Sequence, residues 1–160
     1  MSSYKVIAYT DGGVSGNQNT ENYGGWGAVV LGVESFGEKE ITRKELFGSA
    51  VNTTNNIMEL TGAINALQAI KKKDIPVEVY VDSNYVLKGI TEWIHGWKAR
   101  GWRKADKKPV ENIQLWMALE DEVSKFKSIN FFKVKAHVGV ELNELADQLA
   151  NKGILQAKGA

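Results

Sequence analysis

The chain has 160 residues, 43% of them hydrophobic and 24% charged, with a formal net charge of +1; this fits one soluble globular domain and excludes a disordered, charge-rich chain. No cysteine is present, which excludes disulfides, thiolate metal sites and cysteine nucleophiles and leaves oxygen and histidine as the available metal ligands. No charged leader precedes an apolar run, and no apolar stretch approaches the roughly 18 residues that span a bilayer, so a cytoplasmic protein without membrane contact is expected.

Tyr4 to Asp11 predicts a strand rich in β-branched and aromatic residues, and the Gly- and Asn-rich run that follows predicts a long turn. Gly27 to Val33 reads as its hairpin partner. Phe36 to Leu46 reads as a third antiparallel strand, although the charges of "EKEITRKE" would also suit a short helix. From Thr54 the period changes: Ile57, Leu60, Ile64 and Leu67 form one stripe of an amphipathic helix that ends before Pro76. Val77 to Val81 alternates as a strand, and a strand, helix and strand in succession imply a crossover that pairs it parallel to the first strand.

Short helices are expected over Tyr85 to Ile90 and Trp93 to Trp97, and a longer one carries Ile113, Trp116, Met117, Glu120 and Val123. Ile129 to Val134 predicts a fifth strand, and Glu141 to Leu155 a C-terminal helix. The order βββαβααβα predicts an α/β fold with a five-stranded mixed sheet flanked by helices, in one domain over residues 1–160.

Four acids stand where these elements begin or end: Asp11, Glu59, Asp82 and Asp147. Ligands of open α/β sheets gather outside the carboxyl ends of the strands, so parallel neighbours ending in Asp11 and Asp82 would bring two carboxylates to one crevice. Such hard oxygen donors suit magnesium or manganese. Each acid also has a purely structural reading. Asp11 before two glycines could be a turn residue, Glu59 could close a capping box begun by Asn56, and Asp82 could cap the next helix. Asp147 lies among Leu145, Leu149 and Ala150, where an unpaired buried carboxylate is costly, so it must either face solvent or have a cation nearby.

The segments "YTDGG" (9–13), "TTNNIMEL" (53–60), "VDSNYV" (81–86) and "KAHVGVELNELAD" (135–147) resemble, in order, the motifs of bacterial-type ribonuclease H of type 1. The resemblance covers nearly the whole chain. It implies the ribonuclease H-like fold and an endonuclease that hydrolyses the RNA strand of an RNA/DNA hybrid. Asp11, Glu59, Asp82 and Asp147 would be metal-binding and catalytic, holding two Mg2+ ions, with Mn2+ as an alternative. His137, ten residues before the last aspartate, would aid proton transfer or product departure. Two ions roughly 4 Å apart would activate a water and stabilise the leaving oxygen without a protein nucleophile. The family's products carry a 5′-phosphate and a 3′-hydroxyl.

From Lys98 to Pro109 the chain holds six basic residues, Lys98, Arg100, Arg103, Lys104, Lys107 and Lys108, against the single acid Asp106. Four of the five tryptophans, Trp93, Trp97, Trp102 and Trp116, interleave with this run. The segment, about 93–112, resembles the basic protrusion, or handle, of many type 1 enzymes. Trp93 and Trp97 at helical spacing would pack on Trp116 as a small satellite core, while the cations meet phosphates and make binding fall with salt. By the same resemblance Gly12, Gly13, Asn17, Asn55 and Asn84 would line the RNA side. Thr54 would touch a DNA phosphate, and Glu144 would sit near a metal or a 2′-hydroxyl.

The chain departs from the family pattern in two places. The loop "GNQNTENYGG" is longer and lacks the usual prolines, and position 84 is Asn where Gln is frequent. No N-terminal hybrid-binding domain is seen, which makes the handle the main non-catalytic contact. The partner expected is the hybrid duplex alone, bound by a monomer. The alternatives are a DNA-acting nuclease of the same fold and an inactive hybrid-binding module; the latter would have no need of four mutually repelling carboxylates.

Overall fold

The computed structural model of the chain describes residues 3–16, 21–134 and 140–159. Strands β1 (Tyr4–Ser15), β2 (Tyr23–Glu34) and β3 (Glu40–Val51) form an antiparallel meander; helix α1 (Asn55–Gln68) then crosses to β4 (Val77–Val81), which lies parallel to β1. Three helices follow, α2 (Asn84–Lys88), α3 (Ile94–Ala99) and α4 (Ile113–Ser124), before β5 (Ile129–Lys133) and helix α5 (Val140–Ala157). A π turn over Gly89–Trp93 joins α2 to α3 without a break. Counted as one bent rod, the pair reproduces the expected βββαβααβα.

The sheet order is β3-β2-β1-β4-β5, with β4 and β5 also parallel. Both faces of β1 are covered, which is why its sequence is nearly continuously apolar. Val6 and Ala8 pack with α1, and Ile7 and Tyr9 belong to the cluster under α5. Leu60, Ile64 and Leu67 of α1 are all buried, each removing apolar area from water worth about 1.5–3 kcal/mol when fully covered. Among the described residues no helix is long and apolar enough to cross a membrane.

Three boundaries differ from expectation. β1 runs past Asp11 to Ser15 because β2 begins four residues earlier than the apolar pattern indicates, pairing Ser15 with Tyr23. The parallel partner β4 leaves β1 at Thr10, so Asp11 marks the end of pairing on that side alone. β3 is displaced to Glu40–Val51, since Gly37 and Glu38 turn with positive φ values of 76° and 51° and leave Phe36 exposed. A glycine and a turn outweigh the alternating charges here.

The tryptophan cluster forms as expected and is anchored to the sheet side by Tyr85. Trp97 and Trp116 meet edge to face with ring centroids 5.3 Å apart, and Trp93 lies 6.0 Å from Trp97. The Tyr85 hydroxyl accepts hydrogen bonds from Trp116 Nε1 (3.0 Å) and Asn112 Nδ2 (3.1 Å). The indole donor of the fully buried Trp116 is thereby satisfied without water, as buried polar groups require.

Candidate active site

The sheet pattern decides which way each acid points. Asp11 stands directly opposite Gly27 in the antiparallel ladder and therefore shares its face, the face under α5. A Cβ on Gly27 would lie 2.7 Å from Leu149 Cβ and 2.8 Å from Ala150 N, and would also meet the Ala146 carbonyl. Helix α5 thus touches the backbone beside Asp11, and Asp147 is the next residue after Ala146. Gly12 faces the other way: a Cβ there would be 2.7 Å from Glu59 N, so α1 lies equally close on the opposite face. Two helices in direct contact with the sheet deliver Asp147 from one side and Glu59 from the other. Asp82, one residue beyond the paired Thr10 and Val81, completes the group at the strand ends.

The local readings of Asp11, Glu59 and Asp82 do not hold, whereas Asp147 does face solvent. Asp11 lies inside β1 and is no turn residue. The cap of α1 is Thr54, whose Oγ1 accepts from Ile57 N–H at 3.1 Å, while Asn56 lies within the helix, so Glu59 closes no capping box. The cap of α2 is Ser83, which accepts from Val86 N–H at 3.2 Å and leaves Asp82 free of that task. Asp147 is exposed, with Asn151 Nδ2 3.4 Å from its carboxylate. Solvent therefore relieves the burial cost that its apolar neighbours threatened.

The Gly12 N–H is shared between Glu59 Oε1 (2.8 Å) and Asp11 Oδ1 (2.9 Å). Glu59 is 9% exposed, and its Oε2 is buried with no hydrogen-bond partner. Burial is the first reason that its carboxyl titrates above the ordinary range, with the charge of Asp11 next and that of Asp82 adding. Asp11 is likewise raised, first by burial, with Glu59 working in the opposite direction and Asp147 again upward. The two titrate as a coupled pair in which both shifts point up. A protein interior that holds one carboxyl of such a pair, Glu59, protonated near neutrality is poised to exchange that proton for a cation.

A stability effect follows from this coupling. Groups whose folded-state values are raised stabilise the fold fully below the ordinary carboxyl range, about pH 4, and lose that contribution as pH rises through the raised values. In chelator, the melting temperature of the parent should therefore fall relative to that of Glu59→Gln as pH rises from about 5 toward 8. Thermal scans by circular dichroism measure it; parallel curves would show that the acids are under no strain.

Among the described residues no three acid or imidazole side chains form a ready-made metal cage. Magnesium does not require one, because it commonly keeps several waters and takes one or two carboxylates together with substrate phosphate oxygens. The orphaned Glu59 oxygen and the raised Asp11 fit such a hydrated ion. Lys133, overlooked in the sequence, lies beside the group: its Nζ is 3.4 Å from Asp82 Oδ1 and also meets the Asp82 carbonyl. The parallel register of β4 and β5, which sets Val81 beside Lys133, is the signal that would have found it.

Of the proposed contacts, Gly12 meets Asp11 and Glu59, a Cβ on Gly13 would lie 3.8 Å from Asn55 Oδ1, and Thr54, Asn55, Asn84 and Glu144 are exposed. Asn55 Oδ1 accepts from Val14 N–H at 3.0 Å, which turns its NH2 group outward. Asn17 and His137 lie outside the described residues.

The handle divides into structural and free cations. Trp97 is buried against Trp116, whereas Trp93 remains 39% exposed. Lys98 is paired with Glu120 of α4 at 2.8 Å. Arg100 Nε donates to the Arg103 carbonyl and Arg103 Nη1 to that of Lys107, so both guanidinium groups help to close the loop. Among the described residues no acceptor holds the ammonium groups of Lys104, Lys107 and Lys108. Lys104 borders a cavity of about 360 Å³ shared with Tyr85, Trp93 and Trp97.

Residues 3–155 match the RNase H family model. The chain is 51% identical over 159 residues to the Ribonuclease H of Bradyrhizobium diazoefficiens, covering 99% of this chain and 96% of that one. It is 52% identical over 155 residues to that of Polaromonas naphthalenivorans, covering 96% and 89% respectively. Among solved structures it resembles LC9-RNase H1, described as a type 1 RNase H with the type 2 active-site motif. The TM-score is 0.83 at 32% identity, over 98% of this chain and 75% of that one. The PFV RNase H domain superposes with a TM-score of 0.78 at 26% identity, over 97% of both chains. With family model, relatives and fold in agreement along its length, this chain belongs to the ribonuclease H family.

Proposed function

We propose that the chain is an endonuclease that hydrolyses the RNA strand of RNA/DNA hybrids, leaving 5′-phosphate and 3′-hydroxyl ends. The observation that carries this reading is the joint approach of Asp11 and Glu59 to the Gly12 amide, with Asp147 acting on Asp11 and Asp82 on Glu59 through their charges, and with one buried Glu59 oxygen lacking any donor among the described residues. When bound, two divalent ions, magnesium or manganese, would supply charge neutralisation at phosphorus and an activated water. Gly12 N–H orients Glu59 and Asp11, fixing the two least solvated carboxyl groups before substrate arrives. Lys133 holds Asp82 by an ion pair at the exposed rim. His137 would take up or deliver a proton as the product leaves.

Selectivity for RNA rests on Asn55. Its oxygen is committed to Val14, and among the described residues no acceptor holds its NH2 group, which would offer donors to a 2′-hydroxyl. Asn84, at the start of α2 beside Asp82, has the same chemistry. Lys104, Lys107 and Lys108 would meet the backbone phosphates of the other strand, adding affinity without base readout. A monomer acting without a protein partner accounts for all of these contacts.

Labelled hybrid, duplex RNA and duplex DNA, each incubated with magnesium or with chelator, test the assignment. Only hybrid with metal should be cut; cleavage of duplex DNA, or of hybrid in chelator, would overturn it. Replacing Lys104, Lys107 and Lys108 together with Ala should raise KM more than it lowers kcat. The slope of log affinity against log salt should become shallower by about 0.7–0.9 for each phosphate that these lysines neutralise in the parent. An unchanged slope would remove the handle from the interface.

A further inference from the structure

We propose that Asn22 is a positioning residue for hybrid recognition, acting by holding the start of α1 against the β1–β2 hairpin; the inference rests on the activity proposed above. Asn22 sits in the longer, proline-free loop, immediately before β2, where Asn17 is the one residue so far given a role. The last ladder pair between β2 and β3 is Tyr23 with Val51. Beyond it, Asn22 continues the pairing by itself.

Four hydrogen bonds join Asn22 to the next two residues of the β3–α1 connection. The Asn52 N–H donates to the Asn22 carbonyl at 2.9 Å. The Asn22 N–H donates to Asn52 Oδ1 at 3.2 Å. The Thr53 N–H donates to Asn22 Oδ1 at 2.8 Å, and Asn22 Nδ2 donates to the Thr53 carbonyl at 2.9 Å. The side-chain amide thus pairs with Thr53 as a peptide group would, adding one rung after the strand has ended. Asn52 takes a left-handed φ of 56°, the turn that redirects the chain from β3 into α1. Thr53 is buried, and a Cβ on Gly24 would collide with its methyl group, so the backbone of β2 presses on the clamped residue.

The residues that follow are those that face substrate. Thr54 caps α1, Asn55 reaches Val14, and Glu59 reaches Gly12 one turn later. The N-terminal part of α1 is therefore tied to β1 at two points and to the hairpin at a third, and only the third lies on the loop whose length departs from the family pattern. Without that tie Thr54 and Asn55 would keep their identities and lose their fixed height above the β1 backbone. Glu59, deeper in the helix and bound to Gly12, would be disturbed least. The expected signature is a change in hybrid recognition with little change in the chemical step.

Asn22→Asp is the informative variant, because it keeps the acceptor for Thr53 N–H and turns the donor to the Thr53 carbonyl into a repelling oxygen. KM for hybrid should rise about fivefold, the size of one hydrogen bond removed from the positioned state, with kcat within about twofold. In an Asn55→Ala background the same change should add less than about twofold to KM, since the two residues act in series. The Val14 amide, held by Asn55, should exchange its hydrogen faster in Asn22→Asp, by more than any general loss of stability explains, while that of Gly12 follows the general loss. An unchanged KM, full additivity with Asn55→Ala, or a Val14 amide that exchanges as in the parent would each overturn the proposal. A parent that fails to cut hybrid would sink the assigned activity, and the exchange measurement would still decide the clamp.

Discussion

Replacing Asp11 with asparagine should lower kcat on hybrid by about 10³-fold or more, while the dissociation constant for hybrid changes by less than about threefold. A metal-dependent displacement draws several kcal/mol of transition-state stabilisation from the bound cations, and about 4 kcal/mol corresponds to that factor in rate. Asp11 stands between Glu59 and Asp147, interacting with both, so it is the carboxylate that both sides of the site share. Affinity for the duplex, on the proposal that Lys104, Lys107 and Lys108 on a separate element supply it, should survive. The same substitution removes one charge from the cluster, so in chelator the variant should melt at a higher temperature than the parent. Single-turnover cleavage, filter binding and thermal scans measure the three effects. Parental turnover in Asp11→Asn would remove this residue from the metal site.

Gly27→Val should cost about 3 kcal/mol or more of folding stability, because the added atoms overlap main-chain atoms of α5 that cannot rotate away. At Gly27 the nearest atoms are the Ala146 carbonyl, Leu149 Cβ and Ala150 N, so the helix must either lift or shift along its axis. Either response carries Asp147 away from Asp11, and the fraction that remains folded should have lost activity. Urea denaturation followed by circular dichroism reads the stability; titration of cleavage against folded fraction reads the second effect. A midpoint equal to that of the parent would show that α5 does not seat on this strand.

The legible part of the fold was the part governed by period. Ile57, Leu60, Ile64 and Leu67 recur at helical spacing, and Val77 to Val81 alternates, so α1 and β4 could be located before any contact was known. Boundaries were less legible because partners set them. β1 continues to Ser15 only since Tyr23 to Gly27 pair with it, and β3 starts at Glu40 only since Gly37 and Glu38 turn the chain. The tryptophans were correctly grouped from spacing, yet which of them remained exposed depended on Tyr85 and Trp116, residues from two other helices. The guanidinium groups of Arg100 and Arg103 read as phosphate contacts in sequence, and each also donates one N–H to a loop carbonyl, a second use that no count of charges reveals.

By itself the sequence determined the element types, the absence of thiol chemistry and the identity of the four acids. Hydrophobic period and residue inventory are properties of the chain alone. Only the tertiary structure decided which of those acids meet. Local sequence left Asp11 as a turn residue, Glu59 as half of a cap and Asp82 as a cap, each a choice between partners a few residues away and partners across the fold. Thr54 and Ser83 take the capping positions, and Gly27 and Gly12 admit α5 and α1 to opposite faces of one strand. Carboxylates 48 and 136 residues from Asp11 in the chain, Glu59 and Asp147, thereby share its electrostatic field. Long-range packing, made possible by close helix–sheet approach at two glycines, turns four separately ordinary residues into one site.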